Sequence, residues 1–181
     1  MTTHQFTLIL EGRDFQEDSV IEALFEAECD DATVGRVGEV QYLDFDRKAG
    51  TFPEAVFGAM AAIEEAVPGA RVVHLEPDDL VTMAEIASRT GRTRESVRLL
   101  ISGERGPGGF PTPATHFRSR HRMWRWPSVA VWFADALDEK PHLWDPALAE
   151  FVTAFNAGLD LRNHQGHLTA TDRQRIQELV S

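Results

Sequence analysis

The chain has 181 residues and carries 18 Lys and Arg against 29 Asp and Glu, for a net charge of −11 at neutral pH. Apolar residues at 43% and charged residues at 26% are ordinary globular values that exclude global disorder, and the length allows one large or two small domains. No apolar run approaches the roughly 18 to 20 residues that cross a bilayer, the N-terminus lacks signal-peptide features, and one cysteine excludes an intrachain disulfide or a thiolate metal cage, so a cytoplasmic protein with no membrane contact and no cofactor is expected.

Phe6, Leu8 and Leu10 alternate with Thr7 and Ile9, which predicts a strand over residues 4–11. Residues 17–28 set Val20, Ile21, Leu24, Phe25 and Glu28 at helical spacing, with Asp18 suited to the positive end of the helix dipole. Two short strands, 33–37 and 39–45, follow around Gly38. Pro53 then opens a helix with Val56, Phe57, Met60, Ile63 and Val67 on one stripe, stopped by Pro68-Gly69, and 71–76 is a last strand. Strand, helix, strand, strand, helix, strand is the order of a ferredoxin-like domain, expected over residues 1–78. Cys29 near a helix end reads as a packed small residue rather than a reactive thiol. Asp44 and Asp46 share one face of a strand, as paired catalytic or metal-binding carboxylates do, but with no His or phosphate loop beside them an acidic surface is the better reading.

Glu76-Pro77-Asp78-Asp79 breaks the periodicity and marks a junction. Thr82-Met83-Ala84-Glu85 then has the form of a capping box, which predicts a helix over 83–90. Gly91 suits a left-handed turn, Thr93 a second cap, and Gly103 the end of a helix over 94–102. Ile86, Ala87, Val97, Leu100 and Ile101 fall on the facing sides of the two helices. A pair of short helices about a glycine turn is the helix-turn-helix pattern, whose second helix enters the DNA major groove.

Residues 105–113, rich in Gly and Pro, must be loop or extended chain. The glycines from Gly103 to Gly109 lack the Lys-Ser/Thr of a phosphate loop and read instead as the approach to a wing. Residues 114–126 predict a hairpin in which Arg118, Arg120 and Arg122, spaced by two, project together. A helix over 129–137 carries Trp132 and Phe133, and the tryptophans read as core anchors for the wing rather than base-stacking groups. Leu148, Phe151, Val152, Phe155 and Leu159 mark a helix to about Arg162, and Thr169 or Thr171 caps a last one through Val180. The pairs His116/His121 and His164/His167 have no cysteine partner and no clear zinc-site helix.

Charge follows the same divisions. Residues 1–79 hold five basic against 18 acidic side chains, whereas residues 80–134 hold nine arginines, no lysine and only three glutamates. Arginine presents a planar fork to phosphate or guanine, so this bias points to nucleic acid in spite of the overall negative charge.

The runs Met83-Ala84-Glu85-Ile86-Ala87, Gly91, Arg94-Glu95-Ser96-Val97, Gly109-Phe110-Pro111-Thr112-Pro113 and Trp124-Arg125-Trp126, with Val129 and Trp132, resemble the AlpA/excisionase branch of MerR-like winged helix-turn-helix proteins over about 55 residues. The resemblance implies DNA binding through the second helix and the wing, in transcriptional regulation or in control of site-specific recombination. The longer Gly-rich approach to the wing and the acidic domain in front depart from that pattern.

The expected architecture is α+β: an acidic ferredoxin-like domain (1–78), a winged helix-turn-helix (79–138) and a C-terminal helical segment (139–181). The expected function is sequence-specific binding of double-stranded DNA by a non-enzymatic bacterial transcriptional regulator, as a homodimer. Arg92, Thr93, Arg94, Glu95, Ser96 and Arg98 are the candidate contacts from the reading helix, and Arg118, Arg120 and Arg122 those from the wing, against the alternative of an ordinary solvated surface. The acidic domain would serve pairing, recognition of a protein or small-molecule effector, or charge repulsion. Rival readings are an excisionase-like factor that bends DNA and an antitoxin-like protein-interaction module.

Overall fold

Alternation of apolar and polar side chains makes a strand of Thr2–Glu11 (β1), with Phe6, Leu8 and Leu10 buried on its inner face. The structure, a computed structural model, describes residues 1–119, 121–139 and 146–179. It is mixed α+β with an antiparallel sheet, and the chain divides into two compact units, Met1–Pro77 with Ala154–Ser181, and Asp78–Thr153. The expected C-terminal segment is thus shared between the units. Among the described residues no helix is long and apolar enough to cross a membrane.

In the first unit β1 is followed by α1 (Asp18–Glu26), β2 (Ala32–Val37), β3 (Val40–Ala49), α2 (Phe52–Ala66) and β4 (Arg71–Glu76). The strands lie in the order β2-β3-β1-β4, every neighbouring pair antiparallel. Both helices begin near the predicted points. Thr51 accepts from the Glu54 amide while Glu54 returns to the Thr51 amide, a complete capping box, with Pro53 in the first turn, where no intrahelical donor is required.

The buried faces are narrower than the apolar pattern suggests. In α1 only Val20 and Leu24 are buried, while Ile21 is exposed and Phe25 is 68% exposed. In α2 the alanines Ala55 and Ala59 lie inside and Phe57 outside, its ring meeting that of Phe155 at 5.3 Å. β3 runs four residues past its expected end because β1 pairs with it along its whole length, from Leu10↔Gln41 to Thr2↔Ala49. The polar residues of that extension are held by specific partners. Arg47 grips Asp31 with two guanidinium nitrogens at 2.9 Å and also donates to the Glu28 carbonyl. Asp44 and Asp46 accept from Thr7 and Gln5 across the strand pair on an exposed face. Cys29 is buried, and burial pushes its thiol above the ordinary range in spite of the hydrogen bond from Arg47, so little of it is reactive thiolate.

The second unit starts with β5 (Leu80–Thr82), α3 (Met83–Arg89) and α4 (Arg94–Ser102), and continues after a long loop with β6 (Met123–Arg125) and α5 (Trp126–Leu137). The strand pairing corrects the expected 114–126 hairpin. On that side β6 has, among the described residues, the bridge Thr115↔Met123 and a hydrogen bond from the Ala114 amide to the Met123 carbonyl, and its main partner is β5, with Leu80↔Arg125 and Thr82↔Met123. A register between segments some forty residues apart leaves no local mark in the sequence. α5 begins three residues earlier than expected, because Pro127 is accommodated in its first turn and the Trp126 amide is taken by the Asp79 carbonyl at 2.7 Å.

The core of this unit gathers Val81, Ile86, Val97, Leu100, Trp124, Trp126, Val129 and Phe133. As anticipated, the tryptophans are anchors. The indole N–H of Trp124 donates to the Pro111 carbonyl and that of Trp132 to the Gly108 carbonyl, while the Phe110 ring sits between them, 4.8 Å from Trp132. The Gly- and Pro-rich loop is thereby pinned at three points although it has no regular structure.

Helix α6 (Pro146–His164) buries Ala149 and Val152 at its start, Ala149 within the core of the second unit, and buries Phe155, Asn156 and Leu159 further on. In the first unit Asn156 acts as a one-residue strand edge. Its carboxamide accepts from the Leu75 amide at 2.8 Å and donates to the Leu75 carbonyl at 2.9 Å. Arg162 fixes Glu64 by two further bonds. Asn156→Ala strands both backbone groups of Leu75 in a dry setting, and a loss of about 1–3 kcal/mol is expected, read by denaturant unfolding followed in far-ultraviolet circular dichroism. The last helix, α7 (Ala170–Leu179), is capped by Thr169 and buries no side chain.

Candidate nucleic-acid interface

Local hydrogen bonds determine how α4 is presented. Thr82 accepts from the Glu85 amide and Glu85 returns to the Thr82 amide, which starts α3. At the other end the Gly91 amide donates to Ser88 and the Arg92 amide to Ala87, a complete Schellman closure with Gly91 at φ +64°. A side chain with a Cβ adopts that conformation only at a cost. The Thr93 hydroxyl then accepts from the Ser96 amide and opens α4, which Gly103 ends at φ +73°. Val97 and Leu100 face the core, and Arg94, Glu95 and Arg98 face solvent.

Opposite this surface the chain turns at 116–119, where the Ser119 amide donates to the His116 carbonyl at 2.9 Å, and it returns through His121 and Arg122 to β6. Between α4 and this returning segment lies a cleft of about 530 Å³, lined by Arg94 and Arg98 from one side and His121 and Arg122 from the other, with Met83 and Trp124 among its apolar walls. Three guanidinium groups and an imidazole thus share one concave surface.

They are not equivalent. Arg98 donates to both oxygens of Glu95 at 3.1 Å and to Glu104 at 2.9 Å, so its charge is matched by two carboxylates. Its hydrogen bonds to Glu95 and then to Glu104 raise its pKa further, and Arg98 in turn holds the Glu104 carboxyl below the usual carboxylate range. The Arg98–Glu104 pair stays ionised at neutral and mildly acid pH. Arg94 is exposed and makes no hydrogen bond or ion pair among the described residues, and Arg122 stands 5.9 Å over the Trp124 ring, also without an ion pair among them.

The other candidates fall into distinct places. Arg92 is turned inward, its side chain only 25% exposed, with Glu139 at 2.6 Å, Ser96 at 3.3 Å and the Phe133 ring at 5.6 Å. It ties the turn between α3 and α4 to the end of α5. Thr93 and Ser96 are occupied by capping and by Arg92, although both hydroxyls retain hydrogen-bonding capacity. Arg118 lies in the 116–119 turn, its guanidinium 5.3 Å from the Phe117 ring. Arg120 lies outside the described residues. Two more arginines of the basic stretch are structural: Arg125 pairs with the buried Asp79, and Arg89 donates to the Asp78 carbonyl and covers the Trp126 ring.

Glu104 and Phe117 are the parts of this surface that sequence reasoning missed. Glu104 is six residues from Arg98, a spacing that no helix brings together, and it returns only because Gly103 reverses the chain. Replacing Glu95 and Glu104 together by glutamine releases Arg98 and removes two negative groups from the cleft rim. On the DNA-binding reading, tighter binding with a steeper salt dependence is expected in anisotropy titrations, with the thermal midpoint nearly unchanged because the cluster is exposed.

Comparison with family models, curated proteins and solved structures returns no match.

Proposed function

We propose that the second unit binds double-stranded DNA, with α3 and α4 as a helix-turn-helix of AlpA/excisionase-like type and the segment from Ala114 to Arg125 as its wing. The observation that carries this reading is the cleft in which Arg94 and Arg122 present uncompensated guanidinium groups from its two sides. Arg94 stands in the first turn of α4, where a reading helix meets base edges, and is assigned a guanine or phosphate. Arg122 and Arg118 are assigned the sugar-phosphate backbone or the minor groove, and Thr93 and Ser96 phosphate oxygens. Arg92 acts by positioning α4. No catalytic role is assigned to the acidic pairs.

The first unit is read as a ferredoxin-like domain, a reading supported by its β2-β3-β1-β4 order with both helices between strands. Residues 1–77 and 154–181 hold 19 acidic against eight basic side chains, which suits a part that stays off DNA and raises discrimination against non-specific sites. The protein is accordingly proposed to be a transcriptional regulator that reads two half-sites as a homodimer.

Selection from a pool of random duplexes by the purified full chain tests this. Enrichment of one motif, as two copies about one helical turn apart, is the expected result. A selected pool indistinguishable from its input would remove sequence-specific recognition.

A further inference from the structure

Among the described residues of the second unit every phenylalanine and tryptophan except one is buried or half-buried. The exception is Phe117, 65% exposed, in the 116–119 turn. Its position follows from the backbone. His116 at φ +53° and the Ser119-to-His116 hydrogen bond close a tight turn whose two central residues are Phe117 and Arg118, and the bridge Thr115↔Met123 closes the loop behind them. A ring at the crown of so short a turn cannot fold back onto the core of its own unit.

A lone exposed phenylalanine is ordinary on a protein surface. This one differs in its surroundings. The Arg118 guanidinium lies 5.3 Å from its ring, His116 precedes it in the turn, His121 and Arg122 follow within five residues along the chain, and residues 105–134 contain no carboxylate. An exposed apolar ring beside a guanidinium at the crown of a turn, in a stretch without carboxylates, matches a surface that is anionic outside and aromatic inside, as a base-pair stack between two phosphate backbones is.

We propose that Phe117 is a wedge that enters the minor groove and partly unstacks one base step, kinking the duplex, while Arg118 and Arg122 hold the phosphates on either side. This rests on the DNA-binding reading of the cleft and adds a deformation to it. Pyrimidine–purine steps unstack most easily, so a TA or CA step at the wing position is the preferred substrate. The protein then contributes specificity at a position where it makes no hydrogen bond to a base.

The test uses a short mixed-sequence duplex with a central TA step and donor and acceptor dyes at its two ends, titrated with the full chain. At saturation the wild type is expected to shorten the end-to-end distance. Phe117→Ala is expected to leave the bound duplex at its protein-free length with the wild-type salt slope retained, and Phe117→Leu, still a wedge, to keep most of the bend. Equal bending by wild type and Phe117→Ala, or binding by both without bending, overturns the wedge and leaves the DNA-binding reading standing. Failure of the wild type to bind any duplex at low salt overturns that reading, and the wedge with it. The phenyl ring is outside the core, so an unchanged thermal midpoint verifies that the variants are folded.

Discussion

Arg94→Ala is expected to weaken binding to a selected duplex by about 1–3 kcal/mol, roughly 5- to 150-fold, and to relax discrimination at one base position. The size of the effect follows from the state of the guanidinium before binding. Arg94 is exposed and gives up no ion pair among the described residues on meeting DNA, so nearly all of a bidentate contact appears as affinity. Arg98, one turn further along α4, must first leave Glu95 and Glu104, and Arg98→Ala is expected to cost several-fold less. Arg122→Ala belongs to a different class. A phosphate contact carries no sequence information, so its loss should weaken all duplexes alike and make the salt dependence shallower by about one unit of slope. Anisotropy titrations of the three variants on selected and scrambled duplexes separate these cases, and an Arg94→Ala protein that binds both as the wild type does would remove α4 from the interface.

The largest effect on stability is expected at Phe133. Its ring is completely buried, stands edge-on to Trp132 at 5.3 Å and to Phe110 at 6.4 Å, and carries the Arg92 guanidinium on its face. Phe133→Ala should destabilise the second unit by about 3–5 kcal/mol, through lost transfer energy and the cavity left behind. Since Arg92 holds the turn before α4, DNA affinity should fall as well, without any change to a surface residue. The three described tryptophans, Trp124, Trp126 and Trp132, lie in the second unit, and the first 77 residues and residues 154–181 contain none. Tryptophan fluorescence in a urea titration therefore reports this unit alone, and a midpoint equal to that of the wild type would contradict the packing described.

What the sequence made legible was local. The capping box at Thr82 and Glu85, the reversal at Gly91, the cap at Thr93 and the stop at Gly103 each involve residues within a few positions of one another, and their chemistry is specific to residue type. The same holds for alternation in β1 and for the proline that opens α2. Non-local pairings were hidden. The β5–β6 register, the Asp79–Arg125 pair and the use of Asn156 to satisfy Leu75 depend on segments brought together by the fold, and neither partner alone predicts the other. Helix periodicity likewise identified an apolar face in α1 without revealing that Ile21 and Phe25 would stay outside. Within the candidate site, the arginine bias of residues 80–134 pointed to the second unit as a whole. It could not separate guanidinium groups committed to the protein, as in Arg89, Arg92 and Arg125, from those presented outward, as in Arg94 and Arg122.

DNA binding as proposed depends most on the cleft between α4 and the segment returning to β6 being a landing surface for a nucleic-acid duplex. Its most direct test is the equilibrium affinity of the purified full chain for a mixed-sequence duplex across a salt series that begins at low ionic strength. Saturable binding is predicted, with log affinity falling linearly against log salt by about 0.9 for each phosphate neutralised, and with a shallower line for the Arg94→Ala/Arg122→Ala double variant. No association at the lowest salt, or an affinity indifferent to salt, would contradict it.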